Sequence, residues 1–146
     1  MLKGAAGMYL FDTDVISNVF KKRPSPLLLD RLSTVDAEHQ YISVITVAEI
    51  VWGAQKSSRP SYHLRNLESL MEQVAVLDFD LSAAYWAGRI RAKLESAGRR
   101  LAWADIQIAA IAKANDLTLI TGNTKHFARI TQLRVENWLQ EPADSP

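Results

Sequence analysis

YLFDTDVIS, residues 9–17, ends a short apolar run on two aspartates one residue apart, Asp12 and Asp14. Aspartate at such a boundary is ordinary turn and helix-cap chemistry. It is also how a parallel α/β sheet presents chemistry, because ligands bind beyond the carboxyl ends of its strands. The choice between these readings depends on whether other strand ends carry acids too.

Working outward, MYLF (8–11), QYISV (40–44), VAVLD (74–78) and LTLIT (117–121) are short, aliphatic and partly β-branched. They read as strands buried on both faces. RVENW (134–138) is a weaker fifth candidate. Between them, residues 81–97 and 102–114 have helical spacing and strong helix formers. Pro24, Pro26 and Pro60 mark helix starts or breaks. Strands alternating with helices imply right-handed crossovers. The expected fold class is α/β, a three-layer α/β/α sandwich on a central, mainly parallel sheet of four to five strands. Residues 1–7 read as a leader, 8–140 as one domain and 141–146 as a flexible tail.

The 146 residues carry 48% apolar and 23% charged side chains, a net charge of +1 and no cysteine. Disulfides and thiolate metal sites are therefore excluded. A cysteine-free chain without a run of roughly 20 apolar residues is expected in the cytoplasm, with no membrane partner. Charge is unevenly spread. Arg89, Arg91, Lys93, Arg99 and Arg100 face Glu95 alone in their stretch, and Lys21, Lys22 and Arg23 form a second cluster. Such runs are ordinarily solvated helix faces. Beside an acidic pocket they also suit a polyanionic substrate, as candidate contacts to its charged backbone.

Two further acids lack an easy local explanation. Glu49 sits among Val47, Ala48, Ile50 and Val51 in the opening turns of an apolar helix. Asp105 sits among Trp103, Ala104 and Ile106 on an Ala/Ile-rich helix. Desolvating an unpaired carboxylate costs several kcal/mol. Asp80, by contrast, precedes a helix and makes a good N-cap. Thr121 and Asn123 end a strand in ordinary turn residues. If Asp12, Asp14, Glu49 and Asp105 converge they repel, and a hard divalent cation turns repulsion into binding. Oxygen ligands alone favour Mg²⁺ or Mn²⁺. His39, His63 and His126 show no ligand spacing, which argues against zinc. An ion in such a pocket activates water for in-line attack on a phosphodiester.

Taken in order, LFDTDVIS, SVITVAEIVWGA, LAWADIQIAAIA and LTLITGNTKHF resemble the PIN domain, most closely the VapC-type toxins of bacterial toxin–antitoxin pairs. The resemblance spans about residues 8–138. It implies an Mg²⁺- or Mn²⁺-dependent endoribonuclease. The family's first Asp falls on Asp12, its Glu on Glu49 and its third acid on Asp105, as catalytic metal ligands. Asp14 falls on a polar position near the metal, and is expected to orient the helix start or a water. Asn123 stands where the family often has Asp, which removes one charge and makes it a shell contact. Thr13 and Thr121 match small hydroxyl positions. The resemblance further implies a homodimer, and inhibition by a small antitoxin protein. For Trp52 and Trp86 core packing is the favoured role, with a partner interface as the alternative.

Other readings stay open. A strand followed by Asp-x-Asp also resembles the haloacid-dehalogenase-like phosphatases, with Asp12 as nucleophile; that leaves Glu49 and Asp105 unexplained. A receiver-like module would use Asp78 and a late lysine such as Lys125. A catalytically weak PIN-like RNA-binding module would account for Asn123.

Overall fold

The structure is a computed structural model and describes residues 7–141. The proposed leader and tail therefore lie outside the described residues, apart from Gly7 and Glu141. Five strands form one sheet in the order β3-β2-β1-β4-β5, and every neighbouring pair is parallel. They are β1 (Tyr9–Phe11), β2 (Gln40–Ser43), β3 (Ala75–Leu77), β4 (Thr118–Ile120) and β5 (Val135–Glu136). All five expected strands are present, four trimmed by one or two residues and the fifth by three. The sheet is wholly rather than mainly parallel.

The helices are α1 (Thr13–Val19), α2 (Pro26–Ser33), α3 (Val44–Lys56), α4 (Pro60–Met71), α5 (Leu81–Ser96), α6 (Trp103–Ala114) and the short α7 (Thr124–Phe127). Pro26 and Pro60 open helices, where the missing N–H is no loss. Pro24 lies in the loop before α2. Val44 belongs to a helix and not to the second strand. Ser43 is the reason: its Oγ accepts the Thr46 N–H at 3.1 Å, so β2 passes into α3 with no loop. Asp80 caps α5 as expected, accepting the Ala83 N–H at 2.9 Å.

Alternation along the strands fills two cores, one on each face. Leu10 and Leu119 pack with Ile106, Ile108, Ile111 and Phe127. Phe11 and Ile120 pack with Val15, Leu28, Ile42 and Trp138. A period of two explains the division, since successive strand side chains point to opposite faces. The chain leaves β1 toward β2 on one side, while β4 and β5 return on the other. The strand order thus reverses beside β1, where an open α/β sheet forms its crevice. Asp12 and Thr121 end the two strands that flank that point.

β5 is held largely by the tryptophan two residues beyond its end. Trp138, 3% exposed, meets Tyr9 and Phe11 edge-on at centroid distances of 4.8 and 5.5 Å, and its Nε1 donates to Glu136 Oε1 at 3.0 Å. Trp138→Ala is expected to cost about 3–5 kcal/mol, read as a lowered urea midpoint.

Candidate active site

β1 delivers Asp12 into the crevice and α1 begins at once. The Asp12 N–H donates to the Ile120 carbonyl at 2.9 Å, extending the β1–β4 ladder by one bond. Its side chain is only 4% exposed. One carboxylate oxygen accepts the Thr13 N–H at 2.8 Å, and the other accepts the Thr121 hydroxyl at 2.8 Å. Thr121, fully buried, in turn accepts the Asn123 N–H at 3.0 Å. Burial pushes the Asp12 carboxyl from 3.8 up to about 7. The Thr121 bond opposes that rise, and the charges of Asp14 and Asp105 add to it.

Glu49 enters from α3, in the helix's second turn rather than its first. Its Oε1 accepts the Thr13 hydroxyl at 2.6 Å, and Thr13 Oγ1 lies 2.9 Å from Thr46 Oγ1. The Thr13 proton is committed to the carboxylate, so Thr46 is the donor in that second bond. A relay of hydroxyls thus fixes Glu49 against the base of α1. The dipole of the N-terminal turn is not what places this acid.

Asp14 reaches the crevice from the first turn of α1. The N-cap of α1 is Asp12 itself. Asp14 reaches across to β4's end, where its Oδ2 accepts the Gly122 N–H at 2.8 Å. Its Oδ1 is buried with no partner. A buried, unsatisfied carboxylate oxygen calls for a cation or donor. Asp105 stands in the first turn of α6, half-buried. Its pKa is raised, chiefly by burial and next by the Glu49 charge; His126 counteracts this and Asp14 adds to it. Asp12, Asp14, Glu49 and Asp105 therefore sense one another across the crevice. Among the described residues no three acidic or histidine side chains converge tightly enough to make a formed ligand set. The donor set nevertheless fits a hard divalent cation: every ligand is an oxygen, two of the carboxyls are protonated more readily than usual, and one oxygen is orphaned.

The remaining expected residues divide. Asn123 is exposed, and its side chain makes no cap bond on α7; it touches the network only through its backbone. A cavity of about 240 Å³ opens beside Thr13 and Glu49, floored by Phe20 and Ile50, with Lys21 and His63 on its wall. Lys21 thus shares a cavity with Glu49, whereas Lys22 and Arg23 are simply exposed. Trp52 is not a core residue. It is 66% exposed, with Lys56 Nζ 4.6 Å from its ring centre. Trp86 packs partly against a core, as favoured.

Three contributors escaped the sequence reading. Thr46 and Gly122 looked like helix and turn residues, and His126 bears on Asp105 only through tertiary proximity. Gly122 carried the one usable signal, a glycine at a strand end where backbone must come close to another group.

Residues 9–133 match the PIN domain family. Ribonuclease VapC2 of Haemophilus influenzae is 35% identical over 131 residues, 90% of this chain and 98% of that protein. The tRNA(fMet)-specific endonuclease VapC of Shigella flexneri is 33% identical over 130 residues, 89% and 97% of the two chains. Among solved structures, DNA-bound VapBC from Salmonella typhimurium superposes with a TM-score of 0.83 at 32% identity, covering 90% of this chain and 98% of that one. The chain belongs to the PIN-domain family and, within it, to the VapC-type toxin ribonucleases. PIN-domain VapC nucleases generally depend on a divalent metal.

The tight packing and the charge of the crevice can each be tested. A Cβ on Gly122 would lie 2.6 Å from Asp14 Oδ2 and 3.2 Å from Leu139. Gly122→Ala is expected to displace Asp14 from its only hydrogen bond and to cost about 1–3 kcal/mol, measured by urea unfolding. The second test concerns pH. A carboxyl whose folded pKa exceeds its unfolded value binds more protons when folded, so its contribution is complete at low pH and is lost as pH rises. In EDTA, stability is expected to fall between 3.8 and about 7. Asp12→Asn is expected to flatten that profile.

Proposed function

We propose that this chain cleaves RNA phosphodiesters with Mg²⁺ or Mn²⁺ held by Asp12, Glu49 and Asp105, and is the toxin of a toxin–antitoxin pair. The observation that carries this reading is the crevice of four acids, in which burial raises Asp12 to about 7 and leaves Asp14 Oδ1 without a partner. When bound, such an ion supplies neutralising charge and Lewis acidity at a phosphoryl oxygen. The chain's own residues do the positioning. Thr121 and the Thr13 N–H hold Asp12, and the Thr13–Thr46 pair holds Glu49. Asp14 acts through Gly122, joining the start of α1 to the end of β4. Asn123 contributes a shell contact, and Lys21 at the acid-lined cavity is the best placed of its cluster for an RNA phosphate. Arg89, Arg91, Lys93, Arg99 and Arg100 supply further backbone contacts, with Lys22 and Arg23 in a peripheral role.

Residues 8–140 act as one catalytic domain. The relatives' names make transfer RNA the first substrate to try. A cytoplasmic location is part of this reading, supported by the proposed RNA substrate. Among the described residues, no helix is long and apolar enough to cross a membrane. Partners have surface to meet: Trp52 is 66% exposed, and Leu81 and Tyr85, on consecutive turns of α5, are 74% and 62% exposed. A homodimer and a small antitoxin are the partners proposed for these surfaces.

The test is incubation of the purified chain with total bacterial RNA and Mg²⁺ or Mn²⁺. Discrete products are expected, and they should vanish with EDTA and with Asp105→Asn. Asp12→Asn is expected to abolish cleavage, whereas Asp14→Asn, one step removed from the ion, is expected to cost roughly 10–100-fold. Equal losses in the two variants would make Asp14 a direct ligand. Metal binding without cleavage would make the chain an RNA-binding module.

A further inference from the structure

A second cavity lies apart from the acidic one. It measures about 350 Å³, at the small end of ligand pockets, which run about 300–1,000 Å³. One wall is a single stripe of α5 in which apolar and basic residues interleave. Trp86, Ile90 and Leu94 recur every fourth residue, and Arg89 and Lys93 stand beside them. The opposite wall is the segment after α7, which adds Ile130 to the apolar floor and Arg129 to the rim.

The rim is built by backbone geometry. Gly98, with φ of +69°, ends α5 in a left-handed turn. The Gly98 N–H donates to the Glu95 carbonyl at 3.0 Å and the Arg99 N–H to the Leu94 carbonyl at 2.8 Å, a Schellman closure. That turn brings Arg99 to the cavity. Arg129 Nη1 donates to the Arg100 carbonyl at 2.9 Å, so its guanidinium is tied across the same loop. Lys113 Nζ donates to the Gln132 carbonyl at 2.9 Å and lies 4.9 Å from the centre of the Trp86 ring.

Four cations thus surround an apolar floor, and among the described residues no aspartate or glutamate lines the cavity. The basic run of residues 89–100 therefore does not act as one face. Arg89 and Lys93 gather here, Arg91 and Arg100 line a neighbouring cavity that also holds Glu95, and Arg99 stands between the two and lines both. None of the four crevice acids lines either cavity.

We infer that the cavity between α5 and residues 129–132 is an RNA-binding exosite that takes one unpaired nucleotide of the substrate, separate from the acidic crevice. The inference rests on the nuclease reading for its choice of ligand. The apolar floor receives the base, and the cations meet the flanking phosphates. A helical stem keeps its bases stacked and paired, so only an unpaired nucleotide brings both features at once. A partner protein segment would have to be acidic and apolar in alternation to match as well.

The test uses the full chain carrying Asp105→Asn, so that binding is read without cleavage. The probes are a labelled oligouridylate and an RNA duplex of equal phosphate count, followed by fluorescence anisotropy across a salt series. Thr131 is exposed and lines the cavity, so Thr131→Trp fills the space without disturbing the core. It is expected to weaken oligouridylate binding about tenfold, in line with loss of one base contact, and to leave the duplex unchanged. Lys93→Glu, also exposed, is expected to weaken the oligouridylate and to lower its salt slope by about 0.7 or more. Unchanged oligouridylate binding in Thr131→Trp overturns the exosite, and so do equal losses for single strand and duplex. Lost antitoxin binding with RNA binding intact overturns it in favour of a protein seat. If the native chain cleaves RNA while Thr131→Trp binds normally, the exosite falls and the nuclease reading stands. If the native chain cleaves no RNA, both fall.

Discussion

The structure turns on the burial of one carboxylate. Asp12 ends the central strand of the sheet, bonds through its backbone to β4 and begins α1. An unpaired charge in that position costs several kcal/mol. The surroundings offset only part of that cost, with one buried hydroxyl and one N–H. The remainder shows as a carboxyl that holds its proton up to about 7. Asp14 and Asp105 add further negative charge from two other elements. Hydrophobic packing on both faces supplies the stability that such an arrangement consumes, because Leu10 and Phe11 anchor the same strand in opposite cores.

The crevice has a rigid half and a looser half. On the rigid side, β2 becomes α3 without a loop, and Ser43, Thr46 and Thr13 link that junction to Glu49. Hydroxyls suit this work, since each both donates and accepts and none adds charge. On the other side, Asp105 is half-buried at a helix start and Asn123 is exposed. The two halves meet through Asp14 and the Gly122 N–H, a contact that needs a residue without a side chain. Asn123 adds no charge to the looser half, and its side chain makes no cap bond on α7.

Away from the crevice, the basic residues are organised by helix geometry. A stripe at i, i+3 and i+4 on α5 keeps Arg89 and Lys93 with Trp86 and Ile90, and the turn at Gly98 returns Arg99 to them. Arg91 lies off that stripe, paired with Glu95 at 3.5 Å and 5.4 Å from the centre of the Trp103 ring. Both are exposed, so that pair contributes little stability. The cation–aromatic contact helps hold the guanidinium in place, and the net positive charge of the region is concentrated in the larger cavity.

The sequence by itself determined the alternation of strands and helices, because apolar period and cap residues are local properties. It also marked Asp12, Glu49 and Asp105, since a carboxylate amid apolar neighbours lacks a local remedy. It misjudged the ends of elements and the place of Trp52. One side-chain hydrogen bond, from the Thr46 N–H to the Ser43 hydroxyl oxygen, decides where β2 ends, and solvent exposure depends on what packs alongside. Only the tertiary structure decided that Asp14 answers to Gly122, that Thr46 supports Glu49, and that His126 bears on Asp105. The first and last of these join residues from different elements, and Thr46 reaches Glu49 only through Thr13 of α1. The cavity that brings Arg129 to Arg89 and Lys93 had the same origin. It required the segment after α7 to fold against α5, which no local spacing specifies.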